Sequence, residues 1–480
     1  MSSGGVLVIG GGITGLAAAR ELAREGVAVT LAEADTRVGG KVATERVGGF
    51  TIEAGPDSFL ATRPAGLALA HGLGLDDELI GTRAPRAVFI RHRGTLVPMP
   101  DGMGLALPTR ATPFLRTRLF SWPEKLRMAK DLVWPRILEP DDTAVGSYLR
   151  RRLGSPLVDR LAAPLVGGVY GTPIDEVSLD AVVPSLRVAE RAHRSLLLAG
   201  LADGRRLRAA ATAGPGRGQG LGAFVSLRGG MGALVDALET SLRDADVRVR
   251  NGLGVRALSR AGAGVAARFA DGSLERFGAA VVAVPATRAA ALVDEEAPAA
   301  AGALGAIPHG TSIVVTLAYR REDVLHDLVG HGYLVPVVEG GAISACTWSS
   351  EKWPGRAPDA TVLLRLFVRD VRDLTSLSDD RLVAVARAEA ETTLRIAGKP
   401  VLVRVARWSG SMPRYTVDHL VRVDAIEAAM AAWPSVVLAG SSYRGIGLPD
   451  CIAQGHAAAR RTLERLGGER AAHAGAVASG

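Results

Sequence analysis

Three glycines near the start of the chain, Gly10, Gly12 and Gly15, stand in the order G-x-G-x-x-G, and an acid, Glu33, follows them. Glycines at this spacing let a turn close tightly, let the backbone approach a pyrophosphate and let a helix pack close to a strand. A carboxylate after the next strand accepts hydrogen bonds from ribose hydroxyls and repels a phosphorylated ribose. A second glycine cluster, GSSYRGIGLPDCIAQG, runs from Gly440 to Gly455. Asp450 is a good N-cap, and a helix opening there would offer free N–H groups and a positive dipole end to an anion. Alone, this second run is an ordinary strand-to-helix turn, and its meaning depends on the rest of the chain.

The elements needed to hold the first motif surround it. Val6–Ile9 reads as a short apolar strand, Leu16, Ala19 and Leu22 repeat at helical spacing, and Val27–Leu31 is a second strand ending at Glu33. With 58 glycines in the chain a bare G-x-G-x-x-G means little. The order strand, turn, helix, strand, acid makes it a dinucleotide site. Arg37, Gly39, Gly40 and Lys41 come next, then GGFTIEAGPDSFL from Gly48 to Leu60. Paired glycines let the chain pass a second phosphate, with Arg37 as its charge partner. Simple NAD domains do not need this extension, so the expected cofactor is FAD. At the other end, Val436–Leu438 is a buried strand and Cys451–Leu466 a helix.

Residues 10–15, 37–41, 53–58 (EAGPDS) and 440–452 resemble the flavin-dependent protoporphyrinogen and coproporphyrinogen oxidases, within the amine-oxidase-like flavoproteins. APLVGGVYGTPIDEVSL (163–179) and SLRGGMGALVDAL (226–238) resemble that family's internal signatures. The resemblance covers residues 5 to 466 and is most specific in the middle and carboxy-terminal motifs. It implies a non-covalent FAD held by Gly10, Gly11, Gly12, Ile13, Thr14 and Gly15, by Glu33 and Ala34, and by Arg37, Gly39, Gly40 and Lys41. Gly55, Pro56, Asp57 and Ser58 join them, with Val255 at the adenine end, Trp408 lining the flavin, and Gly440, Ser441, Ile446, Gly447 and Leu448 at the ring. The helix at Asp450 would then face the N1–C2 carbonyl edge of the flavin, which becomes negative on reduction. Val255 reads equally as a plain strand residue, and Trp408 as core. PDCIAQG around Cys451 is unlike the attachment segment of covalent amine oxidases.

The fold expected is α/β, α+β overall. A Rossmann-like FAD-binding domain (1–82, 223–297 and 404–468) is interleaved with an antiparallel-sheet substrate domain (83–97, 188–222 and 298–403). A helical subdomain (98–187) is open to membrane association, and 469–480 forms a disordered tail. Gly200–Gly222 reads as a mobile loop, Ser312–Ala318 and Val362–Phe367 as strands, and Asp379–Ile396 as a helix.

Length of 480 residues, 48% hydrophobic and 22% charged content suit two or three globular domains. Cys346 and Cys451 are far apart and suggest neither disulfide nor metal site, and the start shows no signal peptide, which points to a cytoplasmic protein. No apolar run approaches a membrane span. The net charge of +8 does not imply nucleic acid, because zinc spacing and basic–aromatic interleaving are lacking. Arginines do crowd between Arg83 and Arg152: Arg83, Arg86, Arg91 and Arg93, then Arg110, Arg116 and Arg118, then Arg150–Arg152. They are either solvated faces or an entrance attracting a polycarboxylate or an anionic membrane.

The resemblance implies the chemistry. Flavin N5 accepts hydride from a meso carbon of a porphyrinogen, and three two-electron oxidations, each followed by reoxidation with O2 to H2O2, aromatise the macrocycle in haem biosynthesis. The protein binds and orients, so no acid–base dyad is expected. Some relatives hold a propionate with an Arg where VPMPDGMGLALP has Met103 and Gly104. That leaves Arg63, Arg86 or Arg110 for the carboxylates. Tyr170 in GGVYG either faces the substrate or packs. Four propionates on a basic protein favour coproporphyrinogen III over protoporphyrinogen IX, and a ferrochelatase is the implied downstream partner. An amine oxidase and a non-catalytic porphyrin carrier with structural flavin are the alternatives.

Overall fold

The computed structural model describes residues 5–104, 107–212 and 221–478, without the side chains of 169, 207–212 and 468–478. Its first layer is a five-stranded, wholly parallel sheet. The order across it is Arg248–Arg250, Val29–Ala32, Val6–Ile9, Ala279–Val282, Val436–Leu438. Such a sheet is buried on both faces, and its central strands Val6–Ile9 and Ala279–Val282 are accordingly apolar runs, while the edge strand Arg248–Arg250 is not. Leu16, Ala19 and Leu22 of the helix Ile13–Arg24 are all fully buried against one face; each leucine contributes about 1.5–3 kcal/mol by leaving water. A small antiparallel sheet, Val255–Ala261, Gly264–Phe269 and Leu274–Phe277, covers the other face with the helices Ala286–Val293 and Pro298–Gly305.

A seven-stranded sheet forms the second unit, in the order Leu402–Pro413, His309–Arg320, Thr361–Val368, Ile343–Trp348, Gly332–Leu334, Val88–His92, Thr95–Pro98. Its pairings are antiparallel except for Gly332–Leu334 with Val88–His92, which run parallel. The helix Asp379–Leu394 packs on it through Leu382, Ala386 and Ala390. The segment 404–413, read from sequence as FAD domain, is an edge strand of this sheet, with Trp408 opposite Ser312.

The third unit is helical. Val145–Leu153, Val158–Gly167 and Pro184–His193 enclose a core that includes Leu149, Leu161, Leu186 and Leu196. Val158–Gly167 winds as a π-helix around Pro164, which has no N–H to give an α-helical ladder. Ala189, Leu196 and Leu197, from the stretch 188–222 read from sequence as substrate domain, pack in this helical core. The expected mobile loop is also different: Leu196–Thr212 is helix, and residues 213–220 lie outside the described residues. Gly204 serves close packing, since a Cβ there would stand 2.0 Å from the Thr109 carbonyl oxygen.

Two of the crowded arginines are committed to ion pairs. Arg152 is buried and pairs with Asp131 at 2.7 Å, and Arg150 pairs with Asp159 at 2.6 Å and Asp175 at 3.0 Å. The exposed basic field is therefore smaller than the sequence suggests. The last helix runs from Leu448 to Ala478, so its backbone continues through the segment read as a tail. None of the helices in the described residues is long and apolar enough to cross a membrane.

Candidate active site

Both glycine clusters leave the same edge of the parallel sheet. Gly10 follows Val6–Ile9 and Gly440 follows Val436–Leu438, with only Ala279–Val282 between them, so two strand spacings, about 10 Å, separate the crossings. The carboxyl ends of such strands, at a switch in strand order, are where doubly wound sheets bind ligands. The first and last helices fix the approach: a Cβ on Gly455 would lie 2.4 Å from the Thr14 carbonyl oxygen.

Within G-x-G-x-x-G the glycines differ. A Cβ on Gly15 would stand 1.9 Å from the Gly10 carbonyl oxygen, so Gly15 is required by packing. A Cβ on Gly12 would meet no protein atom within 4 Å, and its φ of −68° is open to any residue. The protein itself does not need glycine at 12; a group lying against its backbone would. Glu33 accepts hydrogen bonds from the Gly11 N–H at 2.6 Å and the Asp35 N–H at 2.8 Å. The Leu253 N–H donates to the Glu33 carbonyl at 2.9 Å, bringing Gly254, next to Val255, against Ala34 from far along the chain.

The second glycine turn packs on the first, the Gly39 N–H donating to Gly11 O at 2.7 Å. Arg37, expected as a phosphate partner, donates to Val38 O at 3.0 Å, Gly40 O at 2.7 Å and Val42 O at 3.3 Å. Its guanidinium braces this turn, because the turn points its carbonyls at it. The ammonium of Lys41 is a partly buried cation. It donates to Ser411 O, burial depresses its pKa, and no described carboxylate is within ion-pair distance.

Asp57, expected at the cofactor, is an anchor. Its carboxylate receives Lys352 Nζ at 3.0 Å and the Trp353 indole N–H at 3.1 Å, with Arg365 at 3.5 Å. Burial alone would raise its pKa; Lys352 and Arg365, with Trp353 and Ser58, outweigh that and hold it far below the usual carboxylate range. Arg365 also donates to Gly55 O, and Trp408 donates its indole N–H to Ala54 O at 2.8 Å. Glu53 is buried, accepting from Thr44 Oγ1 and the Met231 N–H, both at 2.7 Å. The whole EAGPDS segment is thus clamped between two units. Lys352, Arg365, Tyr415 and His419 were missed from sequence, although a lone Arg within TVLLRLFV is a signal of a buried partner.

At the far crossing the last helix opens at Leu448, with Gly447 at the N-cap position, two residues before the expected Asp450. The chain can enter the helix there because Pro449 falls in the first turn, where a missing N–H costs nothing. The Asp450 carboxylate, freed from capping, meets Arg63 at 3.3 Å. Tyr170 joins them, its phenol pushed up in pKa by burial and by Asp450, and its ring is 6.0 Å from Tyr415. Ser441 O accepts the Tyr415 hydroxyl at 2.8 Å. Arg86 stands apart, exposed beside Gly222 and near enough to His331 to lower its pKa, although burial does so more.

The sequence profile of flavin containing amine oxidoreductases matches residues 13–463. The chain belongs to this family. Among these amine oxidoreductases it stands with the coproporphyrinogen III oxidases: it is 42% identical to that of Propionibacterium freudenreichii, over 96% of this chain and 90% of the relative, and 35% identical to that of Bacillus subtilis, over 96% and 98%. A solved Exiguobacterium structure assigned as a protoporphyrinogen oxidase superposes with a TM-score of 0.83 at 32% identity, covering 97% of this chain and all of that one. The cyclohexylamine oxidase of Brevibacterium oxydans, at 19% identity and a TM-score of 0.68, shares the fold.

FAD is the cofactor of this amine oxidoreductase, and the residues fit it. The open face of Gly12 would accommodate a pyrophosphate, Lys41 is a partly buried cation with no described carboxylate beside it, and Glu33 stands at the strand end where a ribose is read.

Proposed function

We propose that the protein oxidises coproporphyrinogen III to coproporphyrin III with O2, releasing H2O2, as a step of haem biosynthesis. The observation that carries this reading is the 42% identity to a coproporphyrinogen III oxidase over 96% of the chain. The clamped EAGPDS segment and the two crossings beside one sheet edge support it. FAD, when bound, accepts hydride from the macrocycle and passes the electrons to O2. The protein's own residues bind, orient and exclude water.

Gly10–Gly15, Glu33, Ala34 and Val255 would hold the adenosine half, and Gly39, Gly40 and Lys41 the diphosphate. Trp408 and the run Gly440–Leu448 would border the ring, with the first helical turn at Leu448 toward its N1–C2 edge. Non-covalent binding fits Cys451, whose thiol is pushed up to about 11 by burial and is a poor nucleophile. Arg63 and Tyr170 are proposed to meet the substrate, with Arg86 farther out. The parallel sheet, the seven-stranded sheet and the helical unit would serve as FAD-binding, substrate-binding and peripheral units. A cytoplasmic setting and a ferrochelatase that takes the product belong to the same reading.

Peripheral membrane contact is part of it. Trp122 and Leu126 are each 66% exposed and Val133 75%, with Leu115 and Trp134 nearby in sequence and Arg116, Arg118 and Lys130 between them. Indole and leucine beside basic residues suit an anionic interface. Protoporphyrinogen IX is a second reading, supported by the 32% identity to the protoporphyrinogen oxidase of Bos taurus over 95% of this chain.

Anaerobic mixing with each porphyrinogen tests the proposal. Flavin bleaching, faster with coproporphyrinogen III, is expected. Binding without bleaching would establish a carrier, and bleaching by an amine alone would overturn the porphyrinogen assignment.

A further inference from the structure

Two side chains from one short segment hold the irregular run Gly440–Gly447 at alternate residues. The Tyr415 hydroxyl donates to Ser441 O at 2.8 Å and accepts the Gly445 N–H at 2.8 Å. His419 Nε2 lies 2.8 Å from Tyr443 O. A carbonyl can only accept, so the neutral imidazole carries its proton on Nε2. The two rings stack at 3.8 Å with 15° between planes, and both are buried. From the other side Gln454 Nε2 donates to Gly445 O at 3.1 Å. Gly445 therefore has both backbone groups bound to side chains.

Tyr415 is also tied to the helical unit. The Ser178 N–H donates to Tyr415 O at 2.8 Å, and the Val417 N–H to Glu176 O at 3.1 Å. One residue thus joins the helical unit to the run that leads into the last helix.

We propose that Tyr415 is a positioning residue for the flavin: by bridging Ser441 and Gly445 it fixes the run whose end, Gly447–Leu448, presents the first helical turn to the N1–C2 edge. This rests on the proposed placement of FAD. A rigidly held dipole end stabilises the reduced, negative flavin more than the oxidised one, because no reorganisation is needed when charge develops. Loosening it lowers the midpoint potential.

The test is Tyr415→Phe in the holoenzyme, which keeps the ring on His419 and removes both hydrogen bonds. The expected result is retained FAD and a roughly tenfold loss of preference for reduced over oxidised flavin, a potential about 30 mV more negative for a two-electron couple. Tyr319→Phe, a buried tyrosine whose hydroxyl has no protein partner, is expected to leave the potential unchanged. An unchanged potential in Tyr415→Phe would overturn the proposal. If that variant does not fold, 3-fluorotyrosine placed at 415 alters the hydroxyl without removing it, and the same readout decides: a shifted potential supports the proposal and an unshifted one overturns it. A wild-type protein that fails to bind FAD would instead defeat the placement on which the proposal rests.

Discussion

The ammonium of Lys352 lies 3.0 Å and 3.2 Å from the two carboxylate oxygens of Asp57, joining a short helix beside the seven-stranded sheet to the loop that follows Glu53. The pair is largely shielded, and Trp353 and Arg365 complete its surroundings. The contact makes the GPDS motif an anchor between two units, held by charge as well as by packing.

Removing one partner of this pair should be costly. Lys352→Ala is expected to destabilise the protein by about 2 kcal/mol at pH 7, since the shielded carboxylate loses its nearest countercharge and keeps only Arg365 at 3.5 Å with Trp353 and Ser58. Asp57 has its folded pKa depressed, so its contribution is complete above the unfolded value near 3.8 and declines as pH falls below it. In urea melts, the difference between wild type and Asp57→Asn should shrink as pH is lowered from 5 toward 3; a constant difference would contradict the assignment.

Gly12→Val separates cofactor binding from folding. The side chain meets no protein atom at Cβ and the backbone is in an ordinary conformation. The apoprotein should keep its melting temperature, while FAD content after purification falls to near zero. Gly15→Ala, by contrast, should unfold the protein, because the added carbon overlaps Gly10 O.

At the far crossing, Gly447→Val is expected to weaken FAD binding by about tenfold or more without unfolding the chain. Its Cβ would approach Asp450 Oδ2 at 3.1 Å, a contact a side chain can relieve. Flavin fluorescence on reconstituting the apoprotein gives the affinity, and an unchanged affinity would remove this turn from the ring.

Arg63→Glu addresses the substrate. Arg63 is 64% exposed, so its pairing with Asp450 is worth less than about 1 kcal/mol to stability. FAD content should be unchanged and KM for coproporphyrinogen III raised about tenfold, with kcat less affected. Equal KM values would place the propionates elsewhere.

The strand–helix–strand unit that carries the proposed nucleotide half was legible from sequence because it is local. Gly10 to Gly15, Glu33 and Gly39–Gly40 lie within one strand–helix–strand unit, and the period of their apolar neighbours announces it. The roles of Arg37 and Asp57 were not legible: a charge beside a phosphate motif looks the same whether it faces a ligand or its own chain. Gly200 and Gly204 misled in the same way, since glycine marks close packing as often as freedom.

The sequence by itself determined the cofactor class, the family and the two glycine crossings, all carried by residue type at fixed spacing. Only the tertiary structure decided which charges are free. Among the described residues Lys41 emerges as a partly buried cation without an ion-pair partner, Asp57 and Arg152 as charges already paired, and Tyr415 as the bridge to Gly445. The partners of Lys41 and Asp57 stand 370 and 295 residues away, and those of Arg152 and Tyr415 lie on separate elements, so each charge is defined by its neighbours in space.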